Sequence, residues 1–357
     1  MLASASGSDE PASERALPAA LTALLATPSA GGARTVGDDH FEVWICHVPL
    51  DSSAAMYGGL PLRLSLTLQG VTDVVSDRVP AYFDTLSQGR YRPVFAAGGE
   101  VTIAADDQPQ ACVDGAVAGA SDDTDAVLVV ADAEHAGDQP GGFGSGGDPC
   151  PANGNCSIAT TRRLAYVGAS DFHPDWGDDP PMDLVEHEIG HSLGWVHSGT
   201  NDAGDYLSGL DLMSNSAAPR EADPTRRNGP GTLAINLFLA GWLPAKDVAV
   251  ATDEATTKLS PSNGDKGTRL LVLDNGRGSM FTVELLTADG LDGHLPATGI
   301  SVHEVHIVDG ALEPMAPMVG NPPYLALLQP GIVLKFGQWT LTATDDWTVT
   351  CRKAASP

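Results

Sequence analysis

Basic residues are scarce in this 357-residue chain: 19 Lys and Arg stand against 46 Asp and Glu, a formal net charge of −27. A surface of that sign repels phosphate backbones and anionic headgroups, so neither nucleic acid nor a membrane is an expected partner. Long apolar runs are also missing. No stretch approaches the ~20 consecutive apolar residues that a bilayer-spanning helix needs. Lysine occurs at only five positions, Lys246, Lys258, Lys266, Lys335 and Lys353, amid abundant Ala, Gly and Pro. That bias is the compositional mark of a GC-rich bacterial genome, an association rather than a physical argument. Hydrophobic residues still make up 42%, enough for a globular fold, and the length suits about two domains.

Cysteine is limited to Cys46, Cys112, Cys150, Cys156 and Cys351, with no C-x-x-C pair among them. Cys150 and Cys156 flank a short Pro/Gly loop, the pattern of a local disulfide in an oxidising compartment. Cys46, in a predicted strand, and Cys112, in a predicted helix, can form a second bridge, which leaves Cys351 over. Five reduced, buried thiols are the alternative. A basic n-region is lacking: residues 1–14 are acidic, although Ala16–Ala26 forms a weak apolar h-region. Residues 1–38 are therefore read as a disordered segment or a leader remnant. A secreted, extracellular protein is expected, without a clear signal sequence.

The chemistry concentrates in His187-Glu188-Ile189-Gly190-His191-Ser192-Leu193-Gly194-Trp195-Val196-His197. It reads H-E-x-x-H-x-x-G-x-x-H, and each fixed position has a physical reason. On a helix, His187 and His191 lie one turn apart on one face, so both imidazoles can reach one Zn²⁺. Glu188 projects from the same helix and can hold a water on that metal, which makes it the natural general base. Gly194 ends the helix because glycine takes the left-handed conformation at no steric cost. The turn redirects the chain so that His197 can supply a third ligand. Three protein ligands leave one tetrahedral position open, the catalytic rather than the structural zinc pattern. Five fixed positions, three of them drawn from ten histidines, leave little room for an accidental match on an amphipathic helix.

Downstream, Leu210-Asp211-Leu212-Met213-Ser214-Asn215 places a methionine on a tight turn shortly after the third His. Met213 at this distance reads as a Met-turn, an apolar floor under the ligands. Together these residues resemble the metzincin clan of zinc endopeptidases. Gly231 to Pro244, a helix ending in Gly241-Trp242-Leu243 before β-rich sequence, is loosely similar to secreted bacterial immune-inhibitor-type and gametolysin-type members. Several metzincin families carry a Tyr two residues after the Met-turn Met. Here that position is Asn215, so no oxyanion donor is inherited there. Tyr206 lies nearby, with surface packing as its expected role. With no Cys before Cys46, a latent form held by a propeptide thiolate on zinc is not expected.

The resemblance implies an α+β catalytic domain over 39–244, with a mixed twisted sheet and a zinc-binding active-site helix. The spacing predicts strands at Phe41–Val48, 93–104, Ala126–Ala131 and Leu164–Gly168, and helices at 74–86 and 109–120. Gly141 to Cys156 reads as a long Gly/Pro loop, and Asp178-Asp179-Pro180-Pro181 as the start of the zinc helix. Short β-rich runs from 245 to 357 predict an all-β sandwich-like domain, separable and with no part in the chemistry. His303 and His306 match a zinc motif only in composition, because in a strand they face opposite sides. Asp171, Asp175, Asp178 and Asp179 could hold Ca²⁺, although a solvated acidic loop is the plainer reading. The expected activity is that of a monomeric zinc endopeptidase acting on protein or peptide substrates. Zn²⁺ is held by His187, His191 and His197, and Glu188 is the base. A zinc hydrolase of non-protein amides or glycopeptides, and a non-catalytic binding protein on the same fold, are the alternatives.

Overall fold

The computed structural model describes residues 17–26, 35–49, 55–57, 60–61, 63–104, 109–133, 141–147, 160–199, 206–321 and 324–354. The chain begins with α1 (Ala19–Ala26), β1 (Gly37–His47) and a small hairpin of β2 (Ala55–Tyr57) and β3 (Leu60–Pro61). It continues through α2 (Leu68–Ser87), β4 (Tyr91–Thr102), α3 (Pro109–Gly119), β5 (Ala126–Ala131), β6 (Gly142–Ser145) and β7 (Arg163–Val167). Three helices follow: α4 (Asp183–Ser192), α5 (Ala218–Ala222) and α6 (Ala234–Leu239). The remainder is β8 (Val248–Ala251), β9 (Glu254–Lys258), β10 (Leu270–Gly276), β11 (Ser279–Leu286), β12 (Gly299–Val308), β13 (Ala311–Leu312), β14 (Ala316–Pro317), β15 (Val333–Phe336), β16 (Trp339–Ala343) and β17 (Thr348–Lys353). Among the described residues, no helix is long and apolar enough to cross a membrane.

The first sheet is mixed, in the order β4-β1-β5-β7-β6. Four strands run parallel, and β6 pairs antiparallel with β7 at the edge. Period-two alternation assigns each side chain to a layer. Phe41, Val43, Ile45, Leu128 and Val130 pack on one face with α2 and α4. Trp44, Cys46, Val127, Val129, Leu164 and Tyr166 pack on the other with α3. Because β5 is covered on both faces, its six residues are all buried, and the run is continuously apolar. Helix α2 turns Val71, Val75, Val79, Tyr82, Phe83 and Leu86 inward, and Thr67 caps it by accepting from the Gly70 N–H. A Cys46–Cys112 disulfide ties β1 to α3, and Cys351 is a buried free thiol. The expected Cys150–Cys156 pair lies outside the described residues.

Two elements differ from expectation. Within the stretch expected to be disordered, Ala19–Ala26 forms α1. Leu21 is fully buried, with Leu17 and Leu25 packed beside it. These leucines recur every four residues, so what reads as a weak leader segment is one apolar stripe, and burying Leu21 alone contributes about 2 kcal/mol. The supposed Gly/Pro loop contains β6, whose sequence Gly-Phe-Gly-Ser has little intrinsic strand preference.

The C-terminal part holds two sheets: β13-β12-β11-β10-β8, with β14 also on β12, and the antiparallel β15-β16-β17-β9. They share a core that includes Leu271, Leu273, Phe281, Val283, Trp339 and Leu341. The six-stranded sheet is apolar on its second face as well. Val248, Val250, Leu270, Val272, Met280, Val305 and Ile307 point away from that core and join the cluster around α2 and α4. Residues 245–357 therefore have a core of their own and, through one face of the six-stranded sheet, also join the core of the N-terminal part.

Candidate metal centre

Helix α4 runs beneath the mixed sheet and carries His187, Glu188 and His191. It begins at Asp183, so Pro180 and Pro181 precede the helix instead of entering its first turn. Asp183 and Glu186 then supply the first-turn acids, and Arg220 pairs with Asp183 at 3.1 Å. Asp179, expected to start the helix, is instead paired with Arg78 and Arg227. Helix α4 ends where the Trp195 N–H donates back to the Gly190 carbonyl and Gly194 takes φ +84°. The chain reverses there, bringing His197 back over the helix.

Among the described residues, the one group of His, Cys, Asp and Glu side chains able to close on a metal is His187, His191 and His197, with ligand atoms within 4.8 Å of one another. Two of the rings are held by backbone carbonyls. His187 Nδ1 lies 2.7 Å from the Leu212 carbonyl and His191 Nδ1 lies 2.7 Å from the Trp195 carbonyl. A carbonyl can only accept, so each Nδ1 carries the proton and each Nε2 keeps its lone pair. His191 Nε2 and His197 Nε2 stand 2.8 Å apart. Burial, reinforced by the charge of His197, lowers the His187 pKa to about 4, against the weaker support of the Leu212 carbonyl. Burial and the neighbouring rings lower His191 strongly, and burial lowers His197. All three are neutral at pH 7, the form that ligates a metal.

Glu188 is 3% exposed, and its Oε2 has no hydrogen-bond partner. Burial, and then the charge of Asp171, push its pKa well above the carboxylate range. An unpartnered carboxylate oxygen at this depth costs free energy unless a cation or a polar ligand faces it. Ring nitrogens of three neutral imidazoles converge at the same site, so the donor set fits a bound Zn²⁺. Asp171 and its acidic neighbours form no comparable group among the described residues.

Met213 is fully buried and lies under Gly190, where an added Cβ would stand 2.5 Å from its Sδ. Its carbonyl accepts from the Ser198 N–H, which fastens the turn to the residue after His197. Asn215 contacts Glu221 rather than the histidines. Tyr206 does reach them. Its hydroxyl is 3.2 Å from His197 Nε2, and its ring lies edge-on to His187 and His197. The expectation of simple surface packing for Tyr206 is thus corrected: the side chain is 45% exposed, but it leans on the site. A phenol placed between the third His and the Met was the one sequence signal for this role. Burial and the charge of Glu188 raise its pKa, so it remains a hydroxyl donor at neutral pH. Strand β6 was the other omission. A Cβ on Gly142 would meet Glu188 Oε1 at 2.5 Å, and one on Gly144 would meet His191 Cβ at 2.5 Å. Alternating glycines let this edge strand lie directly over α4. His303 is fully buried in β12 and His306 is partly exposed, on opposite faces as expected.

Neither the protein-family models nor the curated proteins contain a match to this chain. Among solved structures it is similar to the crystal structure of archaemetzincin from Methanopyrus kandleri. Identity is 15%, 57% of this chain and 95% of that chain are covered, and the TM-score is 0.31. At that score the likeness carries no functional weight. The site's own residues show a histidine triad able to hold a metal.

Proposed function

We propose that this protein is a secreted zinc endopeptidase of metzincin type, with His187, His191 and His197 as ligands and Glu188 as general base. The observation that carries this reading is the unpartnered, buried Glu188 carboxylate beside three neutral imidazoles turned to one point. When bound, zinc supplies Lewis-acid chemistry, polarising the scissile carbonyl and acidifying a water. Glu188 takes the proton from the attacking water and returns it to the leaving amine. Its raised pKa suits the second step, and a nearby dication favours the ionised form needed for the first. The Tyr206 hydroxyl is positioned to donate a hydrogen bond to the oxyanion as it forms. An extended peptide would lie antiparallel to β6, the edge strand above the helix, and take main-chain hydrogen bonds from it. The Cys46–Cys112 disulfide suits an extracellular setting, and the shortage of basic residues suits a freely soluble monomer.

The test is metal analysis combined with cleavage of unstructured casein. One zinc per chain is expected, with activity abolished by phenanthroline and restored by zinc. Full activity in a metal-free preparation would overturn the assignment. Stoichiometric zinc without casein cleavage would point to hydrolysis of a non-protein amide or a glycopeptide.

A further inference from the structure

A strap formed by residues 315–318, which includes β14, has two hydrogen-bonding edges. Along one edge, Ala316 and Pro317 pair with Glu304 and His303 of β12, and the Met318 N–H donates to the Val302 carbonyl. Along the other, Met315 makes a parallel bridge to Ser198. Its N–H donates to the carbonyl of His197 at 2.9 Å, and its carbonyl accepts from the Gly199 N–H at 3.0 Å. The Met315 side chain is 2% exposed and belongs to the same apolar cluster as Met213. The C-terminal sheet thus continues, strand by strand, into the segment that carries the third histidine. The pairing runs one step further, because the Leu207 N–H donates to Gly199 and the Leu207 carbonyl accepts from the Tyr324 N–H at 3.1 Å. Tyr206 is the residue immediately before Leu207. His294, from the loop ahead of β12, lies with Nε2 2.6 Å from the Gly209 carbonyl on the same loop.

We propose that the C-terminal sheet is a working half of the metal site. In this proposal Met315, through its backbone, is a positioning residue for His197 and for the Tyr206 loop. The idea rests on the zinc reading above and replaces the view of residues 245–357 as a bystander domain. Of the three ligands, His187 and His191 are fixed by their own helix and its nearby carbonyls. His197 follows the left-handed turn at Gly194, and its backbone carbonyl is held by Met315. Metal bound at the triad must then stabilise the docking of the strap, and docking of the strap must strengthen metal binding by the same factor.

Two measurements on the full-length chain test this. In the first, amide hydrogen exchange of wild-type protein is compared before and after zinc is restored to chelator-stripped material. Slowing is expected at Asp183–Gly199 and, by a comparable factor of about tenfold or more, at Met315 and Tyr324. Strands β15–β17, which pack on the distal core, should change far less. Bound zinc that protects Asp183–Gly199 while exchange at Met315 and Tyr324 stays within twofold would overturn the coupling. No stoichiometric zinc would overturn the metal reading, and this inference with it. In the second, the zinc dissociation constants of Met315→Pro and Met315→Leu are measured by chelator competition. Proline removes the N–H and should weaken binding about 10- to 100-fold, the usual effect of losing a group that orients a ligand. Leucine keeps the N–H and should stay within twofold. A folded Met315→Pro protein with wild-type affinity would also overturn the proposal. If that variant does not fold, the exchange measurement on wild-type protein still decides.

Discussion

Glu188 and Tyr206 occupy the same small site but were unequally visible in the sequence. Glu188 is fixed by its place in a periodic motif, so its position on the buried face of α4 followed from helix geometry. Tyr206 was hidden because its approach depends on how the loop to Met213 folds back, which no local pattern encodes. Their proposed roles give separable outcomes. Glu188→Gln should keep its zinc and lose at least ~10²-fold in turnover, the usual range for a proton-transfer group. His191→Ala should instead lose the metal, so metal analysis distinguishes the two variants. Near-normal turnover in Glu188→Gln would mean that another residue is the base. Tyr206→Phe removes only the hydroxyl. It should lower kcat by about 10²-fold, the low end for one oxyanion donor because the ring is partly exposed, and leave KM nearly unchanged. A rise in KM alone would assign Tyr206 to substrate binding and not to the transition state.

At the scale of elements, the buried parallel strands and α2 were readable because each has one strong period: a continuous apolar run for β5 and a helical stripe for α2. Strand β6 was not, because glycine carries no pattern, and its reason for being there lies on a different element. Gly144 faces the backbone carbonyl of Glu188 and the Cβ of His191, with no space for a methyl group between the strand and α4. Gly144→Ala must therefore push β6 off the helix or shift the helix that carries His187 and His191. Overpacking of this kind costs about 1–3 kcal/mol. The urea midpoint should fall accordingly, and kcat/KM should fall further than stability explains, measured at matched folded fraction. Unchanged cleavage would show that the distance from β6 to α4 is unimportant to the chemistry. Helix α1 teaches the complementary lesson. Its stripe of Leu17, Leu21 and Leu25 was present in the sequence but was outweighed by the flanking small residues and acids.

The whole molecule is held together at a joint that only the tertiary structure reveals. The short β-rich runs after residue 245 were readable as strands, yet β8, β10, β11 and β12 carry apolar side chains on both faces, and that is the mark of a sheet covered twice. Where it meets the part that carries the histidine triad, three buried acids converge on the four residues Gly231 to Ala234. Asp292 accepts from the Gly231 N–H at 2.8 Å, Asp211 from Thr232 Oγ1 at 2.7 Å, and Glu284 from the Ala234 N–H at 3.0 Å. Two of these acids come from the C-terminal part, and Asp211 stands two residues before Met213. Burial dominates their titration. The Glu284 pKa is pushed up to about 8, and the Asp292 pKa to about 7, although backbone donors oppose the shift. A carboxyl whose folded pKa lies above its unfolded value favours folding while it stays protonated. For Glu284, stability is therefore lost as pH rises from the ordinary 4.5 through about 8, at about 1.4 kcal/mol per unit. Glu284→Gln keeps an oxygen for the Ala234 N–H and removes the titration. Its melting temperature should differ from wild type by a fixed offset near pH 4.5, and should gain on wild type by several degrees as pH is raised to 8. Titrating groups remote from Glu284 are common to both proteins and cancel in the difference, whereas Asp211 and Asp292, whose charges act on Glu284, add their coupling to it. A gap that stays constant over that range would show that Glu284 does not titrate in the fold, and that the joint draws its pH sensitivity from Asp292 or Asp211 alone.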